Sequence, residues 1–119
     1  MKQRPSEKAI ELVMRWEKSQ GRNPIKLKEG CDIVSSGRHI EVKSKYAKRP
    51  TSIGLSFYNM REFRKFKRYF LYVVFLQKWK KPKLLIFNKS DIKRKFYVYK
   101  VASVEFNKRF LDKSIEIKN

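Results

Sequence analysis

The chain has 119 residues, 41% hydrophobic and 14% aromatic, and its 31 Lys and Arg against 11 Asp and Glu give a net charge of +20. That much apolar material excludes a disordered basic tail, and so large a positive excess on a domain-sized chain selects a polyanionic partner, nucleic acid first among them. One cysteine and one histidine exclude an internal disulfide and a Cys/His zinc site, so a bound metal would take oxygen ligands.

The start, MKQRPSEKA, has no apolar signal core, and the longest apolar run, YFLYVVFL at 69–76, is far below the ~20 residues of a membrane helix. A soluble cytoplasmic protein is expected, without a membrane partner. Residues 6–20 predict a helix, with Ser6 as N-cap and Gly21 as terminator. Ala9, Ile10, Leu12, Val13, Met14 and Trp16 form its apolar arc. IKL at 25–27 suits a short strand, and 31–35 with 39–45 suit a hairpin around Ser36-Gly37. After a polar loop, YAKRPT, and a short strand at 53–55, Ser56 opens a second helix to about residue 67. YFLYVVFL predicts a buried central strand, LLIF at 84–87 another, and FYVYKVASVEF at 96–106 a further one. The order is α-β-β-β-α-β-β: an α/β (α+β) fold, a mixed sheet flanked by helices.

The hairpin holds the chemistry. With a two-residue turn, Ser35 pairs with Arg38, Val34 with His39, Ile33 with Ile40 and Asp32 with Glu41. Side chains alternate along a strand, which puts Asp32, Glu41 and Lys43 on one face and Ile33, Ile40 and Val42 on the other. Opposed carboxylates ~5 Å apart repel, and a divalent cation between them turns that cost into a binding site. Mg²⁺ accepts one or two carboxylates with water, phosphate and backbone carbonyl oxygens, here that of Val42. Lys43 points to the same place, to orient or deprotonate a water or to neutralise transition-state charge. The competing reading is an ordinary solvated strand face of Glu and Lys.

Asp32…Glu41-Val42-Lys43, after a Glu-bearing helix and before a helix and an apolar strand, resembles the PD-(D/E)XK nuclease superfamily. ELVMRWEKSQGR, CDIVSSGRHIEVKSK and KRYFLYVVF most resemble its Mrr-like branch and the domain called protein NO VEIN, C-terminal. The resemblance covers about residues 6–87, within a single domain at 1–119 whose residues 88–119 form an extension. It implies a restriction-endonuclease-like core and a Mg²⁺-dependent endodeoxyribonuclease, with Mn²⁺ as an alternative metal. Asp32 and Glu41 would be metal ligands and Lys43 the catalytic lysine. Cys31 stands where the family's naming Pro would be, and YNM only loosely matches the Asn-Glu often found at the second helix. The chain is also similar to archaeal Holliday junction resolvases, which implies double-stranded or branched DNA as partner and allows a homodimer.

The superfamily often adds an acid from its first helix. Glu11 lies at the favoured position, Glu17 faces inward by the helical wheel, and Glu7 shares Glu11's face; a plain Glu11–Arg15 surface pair competes. Arg61, Arg64, Lys65 and Arg68 predict a basic ridge for a phosphate backbone, opposite Met60, Phe63 and Phe66. Lys45, Lys48 and Arg49 follow the hairpin as a basic loop, and Trp79 stands in a second one. The alternative to cleavage is a protein that holds DNA or RNA on the same fold without cutting it.

Overall fold

The computed structural model describes residues 4–46, 52–77, 80–94, 96–98, 102–105 and 114–117. Helix α1, Pro5–Ser19, leads into β1 (Pro24–Lys26), β2 (Ile33–Ser35), β3 (Arg38–Lys45) and β4 (Ser52–Leu55). Helix α2, Phe57–Lys65, connects to β5 (Tyr69–Phe75) and β6 (Lys83–Phe87). Helix α3 (Lys89–Arg94), β7 (Phe96–Val98), β8 (Ala102–Glu105) and β9 (Ile115–Glu116) follow. A six-stranded mixed sheet runs β1-β2-β3-β5-β6-β9, and β4-β8-β7 make a second, three-stranded sheet.

β3 and β5 are parallel, so the chain must cross over between them, and α2 lies in that crossover. β5 lies between β3 and β6 and is buried on nearly every residue, as its continuous apolar sequence requires. Alternation then sorts side chains into two layers. Ile33, Ile40, Val42, Tyr72 and Val74 face α1 through Ala9, Leu12 and Val13. Tyr69, Leu71 and Val73 face α2 and α3 through Met60, Phe63 and Ile92, with Leu55 of β4 in the same cluster.

Several boundaries differ from the sequence reading for local reasons. Pro5 takes the first helical position itself, so Arg4 rather than Ser6 is the N-cap, and no side chain caps the helix. Gly21, at φ 79°, closes α1 as expected. Helix α2 stops at Lys65 because Phe66 is already extended. The stretch 96–106 is not one strand: β7 and β8 pair antiparallel, and β8 pairs with β4. Helix α3 was not predicted. Among the described residues, no helix is long and apolar enough to cross a membrane.

Candidate active site

The turn sets the geometry. Ser36 and Gly37 both have positive φ, 47° and 84°, as a type I′ turn requires. The register follows: Ser35 with Arg38, Val34 with His39, Ile33 with Ile40. Asp32 lies one residue before β2, where its carbonyl accepts from the Leu27 N–H at 2.9 Å. Its side chain takes over where strand pairing ends, Oδ2 accepting from the Val42 N–H at 2.8 Å. That bond fixes one carboxylate beside the preceding residue of the strand, Glu41. In a strand the N–H and C=O of one residue point to the same side, so the Val42 carbonyl is directed toward the edge where Asp32 sits.

Glu41 is buried, 6% exposed. Lys43 Nζ lies 3.7 Å from Glu41 Oε1 and keeps about a third of its side chain in solvent, 31%. Burial pushes the Glu41 carboxyl up to about 8, the charge of Asp32 adds to the rise, and Lys43 opposes it. Two carboxylates and one ammonium thus meet on one sheet face, and positive charge is in short supply there.

The first-helix acids behave differently. Glu17 is fully buried, in the layer opposite Glu41 and Lys43. It accepts from Arg22 Nε at 2.7 Å and Nη2 at 2.6 Å and from the Tyr72 hydroxyl at 2.9 Å, with Arg38 Nε at 4.0 Å. Burial pushes its carboxyl up, but Arg22, Tyr72 and the nearby Ser35 hydroxyl outweigh this and leave it below the usual range. The Ser35 hydroxyl favours the charge without reaching hydrogen-bond geometry. Arg38 is itself held, its guanidinium 3.9 Å above the Phe70 ring. Glu11 is exposed, with Arg15 Nη2 3.2 Å away, and Glu7 is exposed one turn earlier.

Residues 6–87 match the family described as protein NO VEIN, C-terminal. The chain belongs to this family. Among solved structures it is similar to Archaeoglobus fulgidus Hjc, a Holliday junction resolvase from an archaeal hyperthermophile. The TM-score is 0.61 at 17% identity, over 93% of this chain and 90% of that one. At that identity the likeness establishes the fold, which is restriction-endonuclease-like. No curated protein matches the chain in sequence.

In this NO VEIN C-terminal domain, Ser56 caps α2 by accepting from the Asn59 N–H at 3.1 Å, and Asn59 Oδ1 accepts in return from the Ser56 N–H at 3.1 Å. Asn59, in the loosely matching YNM, therefore closes a capping box. Arg61, Arg64 and Lys65 are exposed on α2. Arg68 lies beyond the helix end, so helical spacing does not place it on their ridge. It is exposed and donates from Nη1 to the Ser36 carbonyl at 3.4 Å. Lys45 ends β3; Lys48, Arg49 and Trp79 lie outside the described residues. His39 is no simple surface residue: its ring stacks on Phe66 at 3.6 Å, and Nδ1 is 3.8 Å from Cys31 Sγ. Cys31 is buried, and burial pushes its thiol up to about 11, which suits a packing residue and not a nucleophile.

One acid escaped the sequence reading. Glu62 is 7% exposed on the inner side of α2. Asn59, Glu62 and Phe63 are spaced i, i+3, i+4, one stripe of α2, and Phe66 follows just past the helix end. That periodicity, noticed for the phenylalanines, carried Glu62 as well.

Proposed function

We propose that this domain is a divalent-metal-dependent endonuclease that hydrolyses phosphodiester bonds in DNA, double-stranded or branched. The observation that carries the reading is the Asp32–Val42 hydrogen bond at 2.8 Å beside buried Glu41, with Lys43 3.7 Å beyond. The sequence separates Asp32 from Glu41 by nine positions, and the hairpin register returns them to one place.

The donor set suits a hard cation. Asp32, Glu41 and the Val42 carbonyl offer only oxygen, and among the described residues no three His, Cys, Asp or Glu side chains converge as a closed cage. Mg²⁺ favours such a partial set, completed by water and phosphate oxygens, and Mn²⁺ would serve with the same ligands. When bound, the metal supplies Lewis acidity toward a phosphate oxygen and acidity to a coordinated water. The chain's own groups do the rest. The Asp32 side chain is oriented by the Val42 amide. Lys43, partly exposed, offers its ammonium to the attacking water or to charge developing on the phosphate. Of the first-helix acids, Glu17 is committed to Arg22 and Tyr72, so an assisting acid from α1 would be Glu11, now paired with Arg15, or Glu7. Arg61, Arg64 and Lys65, with Lys45, Lys48, Arg49 and Arg68, hold the phosphate backbone and read no bases. A homodimer would suit a branched substrate with two cleavage points.

The test is cleavage of supercoiled plasmid, linear duplex and a four-way junction with Mg²⁺, Mn²⁺ or EDTA, comparing wild type with Asp32→Ala and Lys43→Ala. Metal-dependent cutting abolished by Asp32→Ala is expected. Tight binding without cutting on every substrate refutes catalysis and favours a domain that only holds nucleic acid.

A further inference from the structure

Among the described side chains Tyr46 is the one exposed aromatic, at 64%. Tyr69 and Tyr72 are wholly buried, and Trp16, Phe66 and Phe70 are half-buried. A ring left in water forgoes the burial that the others gain. Single exposed apolar side chains are common on protein surfaces, so the place of this one decides what it can do.

That place is the rim where the two central parallel strands end. Lys45 of β3 pairs with Phe75 of β5, and the Leu76 N–H donates to the Lys45 carbonyl at 2.9 Å. Tyr46 is therefore the first residue past the last rung, on a backbone that the sheet still holds, and its ring is confined to neither face. Both strands turn their carboxyl ends to this rim, the end at which open α/β sheets take their ligands. Glu41, Lys43 and Lys45 alternate along β3 on one face and lead up to it. At ~3.3 Å per residue in a strand, Tyr46 begins ~10 Å beyond Lys43, about three steps of a nucleic-acid strand at ~3.4 Å each. A strand whose phosphate meets Lys43 thus carries a base within reach of the ring. In sequence the ring stands between Lys45 and the Lys48-Arg49 pair. Cations to follow a backbone with an aromatic between them are the make-up of a groove for single-stranded nucleic acid.

We propose that Tyr46 is a base-stacking residue: its ring takes the face of an unpaired base in the DNA strand held at Lys43, so that DNA with a single-stranded flap or gap is preferred over continuous duplex. The inference rests on the nuclease reading above and narrows its substrate. In a continuous duplex each base is covered on both faces by its neighbours, and the ring finds nothing to stack on. A flap or gap opens such a face. Lysine and arginine contacts to phosphate are the same on either substrate, so the preference has to come from a group that needs a bare base.

The test is binding in EDTA, where nothing is cut, of flap, gapped and continuous duplex DNA to wild type, Tyr46→Ala and Tyr46→Phe, read by fluorescence anisotropy. In parallel, 2-aminopurine in the flap reports stacking by the quenching of its emission. Tyr46 is exposed, so neither variant disturbs the fold. Tyr46→Ala is expected to weaken flap and gapped DNA about tenfold, to leave continuous duplex unchanged and to abolish the quenching. Tyr46→Phe keeps the ring and should behave as wild type. Equal loss on all three substrates, or no loss on the flap, overturns the proposal, as does wild type that binds continuous duplex most tightly. Cleavage of the same DNA with Mg²⁺ separates this from the nuclease reading. Metal-dependent cutting with binding indifferent to Tyr46→Ala overturns the stacking alone, whereas flap binding through Tyr46 with no cutting of any DNA overturns the nuclease reading and upholds the stacking.

Discussion

Replacing Arg22 by methionine, R22M, isolates the ion pair beneath α1. The methionine keeps most of the aliphatic stem but removes two charge-assisted hydrogen bonds, at 2.7 and 2.6 Å, to a carboxylate with no solvent exposure. Breaking one side of a buried pair costs about 3–5 kcal/mol. The Tyr72 hydroxyl at 2.9 Å and Arg38 at 4.0 Å remain, so the lower end, about 3 kcal/mol, is expected at pH 7. At a urea slope of about 2 kcal/mol/M this moves the unfolding midpoint by roughly 1.5 M. The loss must also depend on pH. In the wild type, Glu17 titrates below its ordinary value, so its contribution is complete above the unfolded value of about 4.3 and drains away as pH falls through the lower folded value. In R22M the carboxyl is no longer held down, burial raises it, and protonation relieves the stranded charge in mild acid. Urea unfolding at pH 7 and near pH 4 should therefore give a difference between the two chains that shrinks on acidification. A difference below about 1 kcal/mol at pH 7, or one equal at both pH values, refutes the reasoning.

Three further outcomes are expected. Gly37→Ala puts an L residue at φ 84° with its Cβ 3.2 Å from Arg68 Nη1; the flexible Arg68 tip can yield but the backbone cannot, and chemical denaturation should show a loss of about 1–2 kcal/mol. Ser56→Ala opens the capping box of α2 and should cost about 1 kcal/mol by the same measurement. Arg61→Ala with Arg64→Ala should weaken DNA binding equally across sequences and reduce the slope of log affinity against log salt by roughly 2, near 0.9 for each lost phosphate contact; an unchanged slope in a fluorescence-anisotropy titration removes these arginines from the interface.

The candidate site was legible because its information is local. A Ser-Gly turn accepts two positive φ values, the apolar positions 33, 40 and 42 can face only one way, and together they fix the register that returns Asp32 to Glu41. The central strand was legible from its unbroken apolar run. What sequence spacing left open was long-range. Glu17 was visible as an inward-facing acid, but that Arg22 turns back onto it past the helix end, and that Tyr72 reaches it from 55 residues away, shows only in the fold. The break in 96–106 is set by the pairing of β8 with β4, half a chain earlier. Glu62 was hidden by its type: a charged residue on an apolar stripe reads as a flaw in the pattern until the helix is seen lying over Tyr69 and His39.

The parallel pairing of β3 with β5 also bears on the order of assembly. The β2–β3 hairpin closes over two residues and can form within microseconds, whereas β5 must return across some thirty residues and the α2 crossover before it can dock, at a larger loop-closure cost. The Asp32–Val42 bond lies in the early unit, while the burial of Glu41 is delivered by the late one. A nascent chain would thus hold its acidic pair aligned but hydrated, and the low-dielectric surroundings would arrive only when the last central strand closes over it.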